Sequence, residues 1–129
     1  MAGARVLVVD DDPFVLRIVA MVLQRAGYET VTAAGPLQAL EMVTIKGGFD
    51  LVVSDVIMPV MCGPELADQI RLLSPSANIM LMTGCASEGL LPKGFHFIGK
   101  PFSPSDLLRA VESALQASAP PRSVTAIPR

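Results

Sequence analysis

Short apolar runs alternate with longer amphipathic stretches along most of the chain. Arg5–Asp10 (RVLVVD) is an almost unbroken β-branched run, the mark of a strand covered on both faces. Asp12 then stands at a helix N-cap, with Pro13 in the first turn, where a missing N–H costs nothing. Phe14, Ile18, Val22 and Leu23 give that helix an apolar stripe, and Gly27 ends it. Tyr28–Ala33 reads as a second strand. Pro36 opens a second helix, which puts Leu40 and Val43 on its buried face and stops at Gly47–Gly48. Leu51–Ser54 (LVVS) is a third buried strand with Asp55 at its carboxyl end. After the loop VIMPVMC, Gly63–Pro64 starts a third helix, with Leu66, Ile70 and Leu73 on one side and Ser74–Pro75 as its stop. Asn78–Met82 is a fourth strand followed by Thr83, and Phe95–Gly99 a fifth followed by Lys100. Pro101 makes the turn after Lys100 a fixed one, with a cis bond among its options. Ser103 caps a last helix, with Pro104 in its first turn and Leu107, Leu108, Val111 and Leu115 as its apolar stripe.

Strand–helix alternation with short connections demands a parallel sheet with helices on both faces, a doubly wound α/β fold. Such sheets bind ligands at the carboxyl ends of their strands. Asp10–Asp12, Asp55, Thr83 and Lys100 follow the carboxyl ends of the first, third, fourth and fifth strands.

Composition narrows the picture. The 129 residues, half of them apolar, suffice for one domain with one sizeable core. A net charge of −2 without a basic face argues against nucleic-acid binding, which needs clustered Lys and Arg. Cys62 and Cys85 sit in no CxxC pair, so they read as reduced thiols. The start MAGARVLVVDDD is neither a signal peptide nor a membrane span, and the expected location is the cytoplasm, with no membrane contact. From Ala117 the composition shifts to Ala, Ser and Pro. Residues 1–117 are therefore expected to form the domain, and 118–129 a flexible tail or linker.

Several carboxylates at one end of a sheet repel one another unless something positive sits among them. Mg²⁺ suits such a site, because it accepts one or two carboxylates, keeps waters and takes phosphate oxygens as further ligands. A carboxylate can also act as a nucleophile and form an aspartyl-phosphate. Lys100 and the Thr83 hydroxyl could then hold phosphoryl oxygens.

The motifs VLVVDDDP, DLVVSDVIMP, MTG and GKPF, in this order and on these strands, resemble the receiver domains of two-component response regulators and hybrid kinases. The resemblance covers roughly residues 5–117. It implies a flavodoxin-like five-stranded parallel sheet of order 2-1-3-4-5. It implies Asp55 as phosphoacceptor, Asp11 and Asp55 as direct Mg²⁺ ligands, Asp10 as a ligand through water, and the Ile57 backbone carbonyl as a further ligand. It also implies Thr83 and Lys100 on the phosphoryl group, and Phe97 at the position of a rotating aromatic switch. The implied partners are a histidine kinase or phosphotransfer protein as phosphodonor and an unknown downstream protein, with the chain a monomer or weak dimer. Such a domain phosphorylates and dephosphorylates itself rather than turning over a substrate.

The individual residues also carry plainer readings. Asp12 reads as a helix cap rather than a ligand, His96 as a half-buried strand residue, and Met58, Met61, Met80 and Met82 as core or loop filler. Phe97 fits a core strand position as well as a switch. Two other functions compete. A haloacid-dehalogenase-like phosphatase would use Asp10 as nucleophile, but it wants a Thr where Phe14 stands and a cap for which the chain has no room. A pseudo-receiver that never takes phosphate is opposed by the intact acidic pair, Thr83 and Lys100.

Lys100 follows Thr83 by 17 positions, fewer than the resemblance leads one to expect. Residues 84–94 (GCASEGLLPKG) carry three glycines and a proline. The helix that normally lies there is expected to be shortened or absent, leaving a loop with at most one helical turn. Cys62 stands where the family commonly has an acid.

Overall fold

The computed structural model describes residues 3–84 and 94–117. Five strands form one all-parallel sheet: β1 (Arg5–Val9), β2 (Glu29–Ala33), β3 (Leu51–Asp55), β4 (Asn78–Thr83) and β5 (His96–Gly99), in the order β2-β1-β3-β4-β5. The described helices are α1 (Pro13–Arg25), α2 (Pro36–Ile45), α3 (Gly63–Leu73) and α4 (Pro104–Gln116). The expected strand order and the doubly wound architecture are those observed.

The sheet is buried on both faces, as its apolar runs require. Leu7, Val9, Val52, Ile79 and Leu81 point toward α2 and α3, where they meet Ala39, Val43, Leu66 and Ile70. Val6, Val8, Leu51, Val53, Met80 and Met82 point the other way, toward Val19 and Leu23 of α1 and Leu107 and Val111 of α4. Period-two alternation thus feeds two cores from each central strand. Register brings the functional strand ends level: Val9 pairs with Ser54, Asp55 with Met82 and Thr83 with Gly99.

The caps follow the chain's local chemistry. Asp12 accepts from the Phe14 N–H at 2.9 Å and so caps α1, as expected. Gly27, at φ +98°, lets the chain leave α1 in a left-handed conformation. Ser103 caps α4 by accepting from the Asp106 N–H, and the Asp106 carboxylate accepts the Ser103 N–H in return, a reciprocal pair the sequence reading did not include. The Lys100–Pro101 bond is cis.

The apolar stripe expected on α1 is divided. Leu23 is buried with Val19 and Ala20, but Phe14 is 71% exposed and Ile18 37%. On α3, Leu66 and Ile70 are buried, whereas Leu73 is half exposed. The loop expected at 84–94 falls mainly on residues 85–93, which lie outside the described residues, as do Cys85 and the tail 118–129. Among the described residues no helix is long and apolar enough to cross a membrane.

Candidate functional site

The carboxyl ends of β1, β3, β4 and β5 converge on one acidic centre. β1 delivers Asp10 and Asp11, and β3 delivers Asp55. Carboxylate oxygens of all three lie within 4.8 Å of one another. Asp12 is outside this group, its carboxylate turned to the α1 cap. Asp10 is 1% exposed, Asp11 is exposed, and Asp55 lies between them in burial.

Among the described residues, one ammonium serves the cluster. Lys100 Nζ donates to Asp55 Oδ1 at 3.0 Å and stands 3.8 Å from Asp10 Oδ2. Its backbone N–H donates to the Thr83 carbonyl at 2.7 Å, which locks the end of β5 to the end of β4. Thr83 is buried at that junction. The sequence-expected Asp10, Asp11, Asp55, Thr83 and Lys100 are thus on adjoining strand ends. Ile57 is 77% exposed in the loop after β3. Phe97, paired with Leu81 two strand positions inward of the Thr83–Gly99 pair, packs half-buried against the core on the α2 and α3 side of the sheet.

The electrostatics fit a cation better than they fit the bare protein. Burial pushes the Asp10 carboxyl above the usual carboxylate range. The Asp12 N–H, donating to Asp10 Oδ1 at 2.9 Å, opposes that, while the Asp55 charge adds to it. Asp10 Oδ2 is buried without a hydrogen-bond partner. A buried acceptor left unpaired is costly, and with two neighbouring carboxylates it is a position that a hard divalent cation or its water would satisfy.

The acidic centre lies between two shallow apolar grooves. One, of about 350 Å³, is lined by Phe14, Val15, Ile18, Val19, Lys100, Pro101 and Phe102. The other, of about 420 Å³, is walled by Asp11 and by Pro36, Leu37, Pro59 and Val60. Sequence reasoning missed two neighbours of Asp55. Ser54 donates its hydroxyl to the Asp55 carbonyl at 3.0 Å, and Gly63 packs directly on that carbonyl. The signals were present as a polar residue inside an apolar strand and a glycine in a helical first turn.

A doubly wound sheet with three carboxylates and one lysine at its switch edge defines a small class of phosphoryl-accepting signalling domains. A model of the response regulator receiver domain matches residues 6–112, and the chain belongs to that family. It is similar to the response regulator receiver protein CpdR of Brucella abortus, with 31% identity over 119 residues, 88% of this chain and 98% of that protein. It is 37% identical over 120 residues to the sensor kinase CckA of the same organism, but those residues are only 13% of that protein. Among solved structures, the chemotaxis response regulator CheY4 of Vibrio cholerae superposes with a TM-score of 0.81 at 34% identity, covering 88% of this chain and 99% of that one. The function of the chain is accordingly that of a phosphoacceptor receiver in two-component signalling.

Proposed function

We propose that Asp55 is the residue that takes the phosphoryl group, from a phosphohistidine on a histidine kinase or phosphotransfer protein. The observation that carries this reading is the contrast between the acidic side chains. Asp10 is sealed, with Oδ1 bonded to the Asp12 N–H. Asp55 reaches the surface, with Oδ1 held by Lys100 and by the Val56 N–H at 3.1 Å. Its Oδ2 is the oxygen left to attack phosphorus as the bond to the donor breaks.

Asp10, Asp11, Asp55 and the Ile57 carbonyl would hold Mg²⁺. When bound, the ion screens the negative acceptor and donor from each other. Lys100 orients the acceptor carboxylate, and it is placed to follow the charge onto the transferred group. Thr83, at the neighbouring strand end, is the second protein group for the phosphoryl oxygens. Phe97 reads the result as the switch, since it lies on the strand that leads into Lys100 and is not fully packed.

Phe14 and Ile18 supply a docking surface for the donor. They are exposed apolar residues on α1, and they line the groove whose far wall includes Lys100. A donor protein seated there brings its histidine to Asp55. Residues 1–117 act as this domain, with 118–129 as its tail or linker, monomeric or weakly dimeric in the cytoplasm.

Intact-mass spectrometry after treatment with acetyl phosphate and Mg²⁺ tests the assignment. Wild type should gain one phosphoryl mass, and Asp55→Asn should gain none. Modification of the Asn variant together with an inert Asp10→Asn would move the nucleophile to Asp10.

A further inference from the structure

The phosphoacceptor is held by its backbone as well as by its carboxylate. Ser54 is a buried hydroxyl directly after the apolar run Leu51–Val53 of β3, a placement that costs free energy unless it is hydrogen-bonded. Its Oγ donates to the Asp55 carbonyl at 3.0 Å. On the same carbonyl lies Gly63, the first residue of α3. A Cβ at position 63 would stand 2.5 Å from Asp55 O, 3.0 Å from Val56 Cα and 3.2 Å from Leu81 Cδ2. The first two neighbours are backbone and cannot rotate away. Gly63 is not at positive φ, so space rather than conformation demands the glycine.

Gly63 also donates its own N–H to Val56 O at 2.7 Å. The Val56 N–H in turn donates to Met82 O at 3.0 Å and to Asp55 Oδ1 at 3.1 Å. The Asp55–Val56 peptide therefore carries a donor to the acceptor carboxylate, and both of its flanks are fixed by residues 54 and 63.

We propose that Ser54 and Gly63 form a backbone clamp that sets where the Asp55 carboxylate stands, which makes both of them positioning residues for phosphoryl transfer. This rests on Asp55 as the acceptor. Displacing the peptide by a few tenths of an ångström turns the Val56 N–H away from Oδ1 and moves the Ile57 carbonyl that follows. The geometry presented to a cation and to a phosphodonor then changes, while the core stays formed.

The test compares Gly63→Ala, Ser54→Ala, Leu81→Val and Gly63→Ala/Leu81→Val. Gly35→Ala serves as the control, since a Cβ there meets nothing within 4 Å. The readouts are melting temperature, the Val56 amide resonance, calorimetric Mg²⁺ affinity and the rate of phosphorylation by acetyl phosphate at saturating Mg²⁺. Gly63→Ala should lower that rate ~10- to 100-fold, as small misplacements of reacting groups do. Ser54→Ala should lower it about fivefold, the equivalent of one neutral hydrogen bond. Both should weaken Mg²⁺ binding and shift the Val56 amide. Leu81→Val should leave the rate near wild type and should not rescue Gly63→Ala, because backbone rather than Leu81 blocks the Cβ. A wild-type rate in a folded Gly63→Ala, or recovery in the double variant, overturns the clamp. If Gly63→Ala does not fold, Ser54→Ala decides alone, and an unchanged rate and Val56 amide overturn it. Asp55→Asn run alongside separates this failure from failure of the acceptor assignment, which would show as phosphorylation of the Asn variant.

Discussion

The Arg71 guanidinium lies over the Phe95 ring, 4.6 Å from its centroid, and donates to the Gly94 carbonyl at 2.9 Å. The last turn of α3 is thereby tied to the segment that enters β5, and a cation is set near His96. Burial first and the Arg71 charge second hold the His96 imidazole below its usual value of 6.5.

The sign of the resulting pH dependence is fixed. A histidine with a depressed folded pKa is protonated more readily in the unfolded chain, so folding stability falls as pH drops below 6.5. Urea unfolding of wild type and His96→Gln between pH 8 and pH 5 should show the wild type losing stability relative to the variant below that point. Parallel curves would remove His96 from the account.

Asp10 behaves oppositely. Its folded pKa is raised, chiefly by burial, from 3.8. The stability it contributes is full in acid below that value and is lost as pH rises through the folded pKa. At neutral pH, without divalent cation, Asp10→Asn should therefore melt higher than wild type, by about 4 °C for each kcal/mol of relieved burial and repulsion. The gain should vanish near pH 3, and Mg²⁺ affinity should fall. A variant that melts lower than wild type in EDTA at pH 7 contradicts this.

The five strands, the sheet order and the converging residues were legible in the chain because buried parallel strands are written as apolar runs and the site residues stand at their ends. Asp12 and Ser103 were legible as caps because capping needs only local chemistry. The fate of Phe14 was not. Its place in the α1 periodicity matches Ile18, four residues on, and only the tertiary fold shows that this face stands beside Lys100 rather than against the core. Ser54 and Gly63 were hidden for a related reason. A polar residue after an apolar run and a glycine in a first helical turn mark the two positions, but their contacts with the backbone of Asp55 appear only in the fold.

Val60 adopts φ +75° in the loop between β3 and α3, and it is 80% exposed. A β-branched residue in the left-handed region is strained, by roughly 1–2 kcal/mol, and its exposure means no core contact offsets that cost. Val60→Asn should raise the urea midpoint by about 1 kcal/mol of stability with an unchanged m-value, since asparagine tolerates this conformation. A lower midpoint would mean that the Val60 side chain contributes packing its exposure does not suggest.

The docking role proposed for α1 would separate small from large phosphodonors. With Asp55 as the proposed acceptor, acetyl phosphate would need only that residue and its immediate neighbours, whereas a phosphohistidine protein would need a surface beside them. Phe14 and Ile18 are exposed, so truncating them removes no core contact and should leave the fold and the acetyl phosphate rate close to wild type. Exposed apolar residues of this size contribute about 1–3 kcal/mol when they sit at the centre of an interface. Phe14→Ala/Ile18→Ala should therefore slow transfer ~10- to 100-fold from any phosphohistidine protein that phosphorylates the wild type, mainly through weaker binding at low donor concentration. Rapid-quench assays over a range of donor concentrations give the comparison. An unchanged rate from the protein donor places its docking surface elsewhere, with the Leu37–Val60 groove on the opposite side of Asp11 as the next face to truncate.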